Sequence, residues 1–228
     1  MRLKSYLTSR YFRVIPWEVK GMDKIQKAVA VGAILGDGFL QKTGKNNARL
    51  RLEHSLKQQD YLIWKCKILS NFFQKKPEIL TRNNLKFGKS YQYIRNQSYS
   101  GSEFGKLHQL FYVDGKKVIP DKISKLLKES VSLAVWFMDD GYYYPRDKIA
   151  YIYLPKLDSN SIKNLLIALK INYGLSPRLK IKKRGEYVLI FTVKETLKLI
   201  HIIKPYIIKS MSYKLPFDPV STDPSSKQ

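Results

Sequence analysis

The spacing of apolar and polar residues changes period repeatedly along this chain, and the changes run through one order twice. An apolar run, Val29-Ala30-Val31-Gly32-Ala33-Ile34-Leu35, predicts a buried helix from about Lys24 into Asp37, with Gly38 as its C′ stop. Alternating segments at roughly 38–43 and 47–54 predict two strands joined by the turn Thr43-Gly44-Lys45-Asn46. Helical spacing returns over 58–73, carried by Tyr61, Leu62, Trp64, Lys65, Ile68, Leu69 and Phe72, and stops before Pro77. A hairpin over 78–98 and a helix over 101–112 follow. The series then restarts with a helix at 129–140, strands at 142–145 and 149–154, and a helix at 158–173 closed by Gly174. A hairpin over 176–193 and a helix over 194–204 end it. The expected fold class is therefore α+β, with two pseudo-symmetric αββαββα repeats over residues 23–120 and 121–217. A basic extension (1–22) and a Pro/Ser-rich, flexible tail (218–228) flank them.

The first helix of each repeat ends in an acidic residue before glycine: Leu35-Gly36-Asp37-Gly38 and Met138-Asp139-Asp140-Gly141. A carboxylate at a helix C-terminus faces the negative end of the helix dipole, so each placement is locally unfavourable. One Asp-Gly pair reads as a hairpin turn or helix stop. Two, each followed by the same order of elements, point to two carboxylates gathered at one place, with a divalent cation as the compensating charge. Ala28, Gly32 and Gly36 recur every four residues, a small-residue stripe along which a second helix backbone can approach closely. If the two motif helices pack there, Asp37 and Asp140 emerge together. Each repeat also closes on a lysine shortly before a proline, Lys117-Val118-Ile119-Pro120 and Lys214-Leu215-Pro216.

Charge narrows the partner. Forty-two Lys+Arg against 18 Asp+Glu give a net charge of +24, which repels itself in a compact state unless a polyanion receives it. The basic residues are spread along the chain rather than collected on one amphipathic helix, which favours nucleic acid over a membrane surface. The apolar run from Ala28 to Leu35 is too short to cross a bilayer, and the N-terminus shows no apolar signal segment. A single cysteine, Cys66 between Trp64 and Ile68, reads as a core thiol and suits a reducing compartment. Abundant Lys, Ile, Asn and Tyr, with AT-rich codons, suggest an organelle (mitochondrion or chloroplast) or a low-GC prokaryote.

Several segments look built for duplex DNA. Cations and aliphatics alternate in Arg178-Leu179-Lys180-Ile181-Lys182, which predicts a half-buried strand with a basic face, ending in a turn that carries Arg184. In Arg49-Leu50-Arg51-Leu52-Glu53 the two arginines and Glu53 share one face and the leucines the other. Two-stranded ribbons of this kind fit a major groove, where Arg, Gln and Asn read base edges and Lys touches phosphates. Gln41, Lys42, Arg82, Lys86, Gln92, Arg146 and Lys148 are expected to act similarly. The histidines His54, His108 and His201 lack partners at zinc-ligand spacing and read as packing or surface residues.

Through Ser132-Leu133-Ala134, then Trp136-Phe137-Met138-Asp139-Asp140-Gly141 and the ending Tyr213-Lys214-Leu215-Pro216, the chain resembles the LAGLIDADG family of homing endonucleases, in its single-chain, two-repeat branch. The resemblance spans about residues 24–216, and the first motif departs from the family pattern at Ala30 and Leu35. It implies that Asp37 and Asp140 bind divalent metal, with the carbonyls of Gly36 and Asp139 assisting, and that Lys117 and Lys214 stand near the scissile phosphates. It implies two or more Mg²⁺ ions, replaceable by Mn²⁺, a double-strand cut with short 3′ overhangs at a long asymmetric target, and a mobile-intron or intein context. A free-standing, monomeric, intron-encoded enzyme is expected, since no splicing-domain signal surrounds the repeats. Family enzymes place a polar residue near Glu53 to orient solvent. Its counterpart in the second repeat falls near Leu154-Pro155, where no such side chain stands, so unequal strand rates are expected. The rival readings are an RNA maturase acting on intron RNA and a DNA-binding regulator without catalysis.

Overall fold

The computed structural model describes residues 21–84, 88–182 and 185–216. In chain order they form α1 (Lys24–Leu35), β1 (Phe39–Lys42), β2 (Ala48–Ser55), α2 (Gln59–Ile68), β3 (Glu78–Asn84), β4 (Lys89–Gln97) and α3 (Ser102–Phe111). A two-strand link, β5 (Tyr112–Val113) and β6 (Lys116–Lys117), and the short α4 (Ile123–Leu126) lead to the second half. There α5 (Ser130–Asp140), β7 (Gly141–Tyr144), β8 (Ile149–Leu154), α6 (Ser159–Tyr173), β9 (Arg178–Ile181), β10 (Tyr187–Phe191) and α7 (Val193–Ile203) repeat the series. Each half holds a four-stranded antiparallel sheet, ordered β1-β2-β4-β3 and β7-β8-β10-β9. The identical order is the α+β duplication read from the residue pattern.

Two helices buried on nearly every side sit at the centre. α1 starts from a capping box: Asp23 Oδ1 accepts the Gln26 N–H at 2.8 Å, and the Gln26 side chain accepts the Asp23 N–H at 3.2 Å. Ala28 to Leu35 are all buried in α1, as are Val131 to Met138 in α5. A helix apolar all round belongs inside a molecule, and these two pack on each other along the small-residue stripe. A Cβ at Gly32 would overlap the Ser132 carbonyl oxygen and come within 2.8 Å of Val135 Cβ, while one at Gly36 would overlap Asp139. Only glycine allows so close an approach. Tyr61 in α2 then ties the first half to α5, its hydroxyl donating to the Val135 carbonyl at 3.0 Å.

Three expectations need correction. α1 stops at Leu35 rather than running into Asp37; Gly36 is its cap, its N–H donating to Gly32 O at 3.1 Å. Gly38 is not a left-handed stop. It is glycine because a Cβ there would lie 2.6 Å from the Ala33 carbonyl oxygen, which accepts the Gly38 N–H at 2.7 Å. α2 stops at Ile68 instead of continuing to 73, and Phe72 and Phe73 are buried from the turns that follow. Strand β9 is exposed at all four residues instead of half-buried, because it is an edge strand whose Leu179 and Ile181 have no layer beneath them. Cys66 is buried beside Asn96, whose side-chain N–H lies 3.4 Å from its sulfur, and burial pushes the thiol up to about 11. Among the described residues no helix is long and apolar enough to cross a membrane.

Strand register fixes which residues correspond. Phe39, two past Asp37, pairs with Arg51; Tyr142, two past Asp140, pairs with Tyr151. Glu53 therefore corresponds to Tyr153 and His54 to Leu154. The counterpart of Glu53 is a phenol, one position earlier than its sequence-based placement near Leu154-Pro155.

Candidate active site

The two motif helices end side by side, and their last residues differ in a way that organises everything around them. α5 continues through Asp140, and Gly141 N–H closes it onto Phe137 O. α1 ends earlier, so Asp37 lies past the helix, where no helical carbonyl takes its N–H. The Asp139 carboxylate, on α5, accepts that N–H at 3.2 Å. Gly36 leaves the space in which the Asp139 side chain lies.

The late lysines are placed with the same symmetry. Lys117 Nζ donates to Gly36 O at 3.0 Å, and Lys214 Nζ donates to Asp139 O at 2.9 Å. Each ammonium thus sits on the carbonyl that precedes a motif Asp. The first-half Lys117 also lines the pocket that holds Asp140, together with Gly36, Tyr153, Leu154 and Lys182, so that pocket is built from both repeats. A second pocket holds Asp37 with Glu53, His54, Gln58, Arg82 and Tyr93.

The carboxylates hold their protons unusually tightly. Burial, followed by repulsion from Asp37 and Asp139, pushes Asp140 up to about 7, against the pull of Lys117 and Lys214. Burial and Asp139 raise Asp37 as well, while Lys65, Lys214 and Lys117 oppose the rise. Burial also lowers both Lys117 and Lys214 from the usual ammonium range. Burial rather than an excess of charge therefore dominates, since Asp37, Asp139 and Asp140 face Lys65, Lys117 and Lys214. The free oxygens of Asp37 and Asp140, with the Gly36 and Asp139 carbonyls, form an all-oxygen donor set of the kind hard divalent cations take.

Three groups at the site were not singled out from the sequence. Lys65 on α2 and the Asp139 side chain are both 0% exposed and meet at 3.1 Å. His54 is buried beside them, its Nδ1 3.8 Å from Asp37 and its Nε2 4.0 Å from Asp139. Burial, reinforced by Lys65, holds His54 down to about 3, so the imidazole is neutral and these contacts are not ion pairs. Asp37, His54 and Asp139 each bring a ligand atom within 4.8 Å of the others. The Lys65 ammonium already occupies the Asp139 carboxylate of this trio. The signals were faint: His54 lies on the inward face of β2, and Lys65 interrupts the apolar stripe of α2 one turn after Tyr61. His108 stacks on Tyr112 and His201 is exposed, as expected of packing and surface residues.

Around this centre the outward sheet faces carry the expected basic residues. Arg49, Arg51 and Glu53 do share the outer face of β2, over buried Leu50 and Leu52. Arg51 Nη2 donates to Gln41 at 3.0 Å, and Lys42 is exposed at the end of β1. Glu53 is not a free solvated carboxylate: Arg95 Nε lies 2.9 Å and Arg82 Nη2 3.3 Å from it. Gln92 is exposed on β4. In the β7–β8 turn Arg146 pairs with Asp147 at 2.9 Å and Lys148 adopts a positive φ of 55°. Arg178 and Lys180 line the edge strand β9, and Lys182 Nζ lies 4.8 Å above the Tyr153 ring. Lys86 and Arg184 lie outside the described residues.

Comparison with known proteins agrees with this arrangement. The chain is 30% identical over 218 residues to a RecA protein of Mycolicibacterium flavescens, covering 89% of this chain and 49% of that one. It therefore spans about half the length of that curated relative. It is 28% identical to the cytochrome b mRNA maturase bI2 of Debaryomyces hansenii, covering 86% of this chain and 75% of the maturase. A probable intron-encoded endonuclease of Wickerhamomyces canadensis is also 28% identical, with 86% of each chain covered. The solved structure of the homing endonuclease I-WcaI bound to its DNA recognition sequence superposes with a TM-score of 0.79 at 26% identity, over 87% of this chain and 88% of that one. The profile of the LAGLIDADG DNA endonuclease family matches residues 27–199, most of the chain, and with the duplicated sheets and paired motif helices this places the protein in that family.

Proposed function

We propose that this chain is a site-specific DNA endonuclease that hydrolyses both strands of a long asymmetric duplex target, with divalent metal, leaving short 3′ overhangs. One observation carries the reading most: Asp37 and Asp140, both with raised proton affinity, meet between two pseudo-symmetric sheets, each beside a lysine seated on the neighbouring carbonyl. The likeness to I-WcaI, a homing endonuclease bound to its recognition sequence, supports the same assignment.

Asp37 and Asp140, with the carbonyls of Gly36 and Asp139, would hold Mg²⁺ or Mn²⁺, which supplies Lewis-acid polarisation of the phosphate and a water of lowered pKa. The remaining work falls to the chain itself. Lys117 and Lys214 present ammonium groups beside the two carboxylates, where each can donate to a phosphate oxygen as charge builds on it. Glu53, held in place by Arg95 and Arg82, orients solvent in the Asp37 pocket. The ion pairs of Arg82 and Arg146 are exposed and screened by solvent, so both arginines can exchange a carboxylate for a phosphate at little cost. Because two motifs in one chain supply both half-sites, a monomer suffices. An organellar or prokaryotic intron would be the natural setting.

The maturase likeness supports a second reading, assistance to splicing of a host intron, which needs the basic surface but not the acidic pair. A plasmid library of candidate insertion sites incubated with Mg²⁺ separates the two. Linear product at one site is expected. No linearisation at any site, together with faster intron splicing, would replace the nuclease by the maturase.

A further inference from the structure

We propose that Lys65 is a positioning residue for one of the two strand cuts, acting through Asp139 on Asp37 and leaving the Asp140 side untouched; this rests on the endonuclease reading above. The argument begins with cost. A lysine and a carboxylate, both 0% exposed, have been taken fully out of water, and an apolar pair of similar volume would fill the space without that penalty. The pair does not simply tie one element to another, since Tyr61 on the same helix already bonds Val135 of α5. What it adds is directed at the chemistry. Lys65 Nζ lies 3.1 and 3.4 Å from the two Asp139 oxygens and 4.2 Å above the Tyr61 ring. The same carboxylate accepts the Asp37 N–H, the group left free where α1 ends early. Lys65 holds the carboxylate, and the carboxylate holds the backbone from which the Asp37 side chain projects.

Among the described residues the second half has no such chain of contacts. The residue that corresponds to Asp139 is Gly36, which has no side-chain acceptor. α5 runs on through Asp140, so the helix itself fixes that residue. His54, which flanks Asp37 in the first half, corresponds by register to Leu154 in the second. One motif carboxylate is thus set by its own helix, and the other by a buried ion pair contributed by α2 and the partner motif. Lys65 also cannot act as a general base or phosphate donor itself, because it has no access to solvent or substrate.

The consequence is a strand-selective defect. On a duplex target with each strand separately labelled, under single-turnover conditions with saturating enzyme, Lys65→Met is expected to change the ratio of the two strand rate constants by roughly tenfold or more, since a shift of about an ångström at a reacting group costs on that order. Nicked circles should accumulate from supercoiled plasmid. Target binding in Ca²⁺ should stay within about threefold of wild type, because the affected side chains are fully buried and the basic residues lie on the exposed sheet faces. Lys65→Gln combined with Asp139→Asn replaces the ion pair by a neutral one and covers the case in which Lys65→Met does not fold; the same strand should be slowed, by a smaller factor. Equal slowing of both strands by the folded variants, or an unchanged ratio, would make the pair a structural element only and overturn the proposal. A wild-type protein that cuts neither strand would instead overturn the endonuclease reading on which it rests.

Discussion

The Asp139 carboxylate on the second motif helix accepts the backbone N–H of Asp37 on the first at 3.2 Å, across the axis that relates the two repeats. Gly36 makes this possible, since its missing side chain is the space Asp139 fills. The two motif ends are therefore complementary rather than equivalent. A pseudo-symmetric pair has been interlocked by placing a carboxylate on one side and a glycine on the other.

Gly36→Ala tests the interlock. The added Cβ would overlap Asp139 Cβ and sit 2.6 Å from Oδ2, and the side chain it displaces is buried and bonded to Lys65, so it cannot yield freely. Overpacking of this kind costs about 1–3 kcal/mol, and the loss of the Asp37 N–H partner adds to it. Urea unfolding should show that loss. Gly44→Ala, where the nearest atom to an added Cβ is the Asn47 side chain at 3.8 Å, should be close to neutral. A Gly36→Ala protein as stable as wild type would mean that the two helices separate more easily than their packing indicates.

Asp140→Asn keeps the size of the side chain and removes its charge. Cleavage should be lost, while target binding in Ca²⁺ stays largely intact, because the DNA-facing residues lie on the sheets and not at the helix end. Gel shift and plasmid cleavage assays on the same preparation read both properties. Loss of binding along with cleavage would assign Asp140 to the fold rather than to the reaction.

Stability should respond to pH through the same residue. The Asp140 carboxyl is pushed from its ordinary 3.8 up to about 7, so between these values the folded state binds a proton that the unfolded state releases. Its contribution is fully present below about pH 4 and is lost as pH rises through about 7. His54, held down to about 3 from 6.5, works in the opposite sense, because its unfolded form takes up a proton first as pH falls. The two effects separate on comparison with Asp140→Asn: the metal-free wild type should lose more thermal stability between pH 5 and pH 8 than the variant. Divalent cation at pH 8 should restore the wild type and leave the variant nearly unchanged. Parallel pH profiles for the two proteins would contradict the assignment.

The repeat, the order of elements along the chain and the meeting of the motif helices were all legible in the residue pattern, because each rests on local periodicity or on a run of small residues. Ala28, Gly32 and Gly36 spelled out a close helix contact before any coordinates did. The ends of elements were less legible. Gly38 carried the usual signature of a helix stop, yet steric space at Ala33 sets its identity and α1 stops three residues before it, at Leu35. The Lys65–Asp139 pair was not legible at all, since its partners lie far apart in sequence and each residue alone reads as ordinary: one of several charged residues on α2, an acidic neighbour to a motif Asp. Basic strand β9 misled in the other direction, because alternation reports two unlike faces but cannot report that neither is covered.

The two sheets proposed to face DNA differ in chemistry, and the difference should appear in the target. The first presents Gln41, Arg49, Arg51 and Arg95 along β1, β2 and β4, beside the Asp37 pocket. The second presents Tyr142, Tyr144, Tyr151 and Tyr153 along β7 and β8, with Arg178 and Lys180 on the edge strand and Lys182 and Arg146 over two of the rings. Arginine pairs with the O6 and N7 edge of guanine and glutamine with adenine, whereas a ring face contacts the thymine methyl without hydrogen bonding. The half-site under the second sheet should therefore be the more A·T-rich, read partly through thymine methyl groups. Replacing thymine by deoxyuridine in that half removes the methyls and keeps every base pair; it should weaken binding in Ca²⁺ severalfold, measured by fluorescence anisotropy. The same exchange in the other half should change little, while guanine replacement there should cost about 1–3 kcal/mol per lost bidentate contact. Equal sensitivity of the two halves to uracil would show that the tyrosines serve the sheet surface and not the reading of bases.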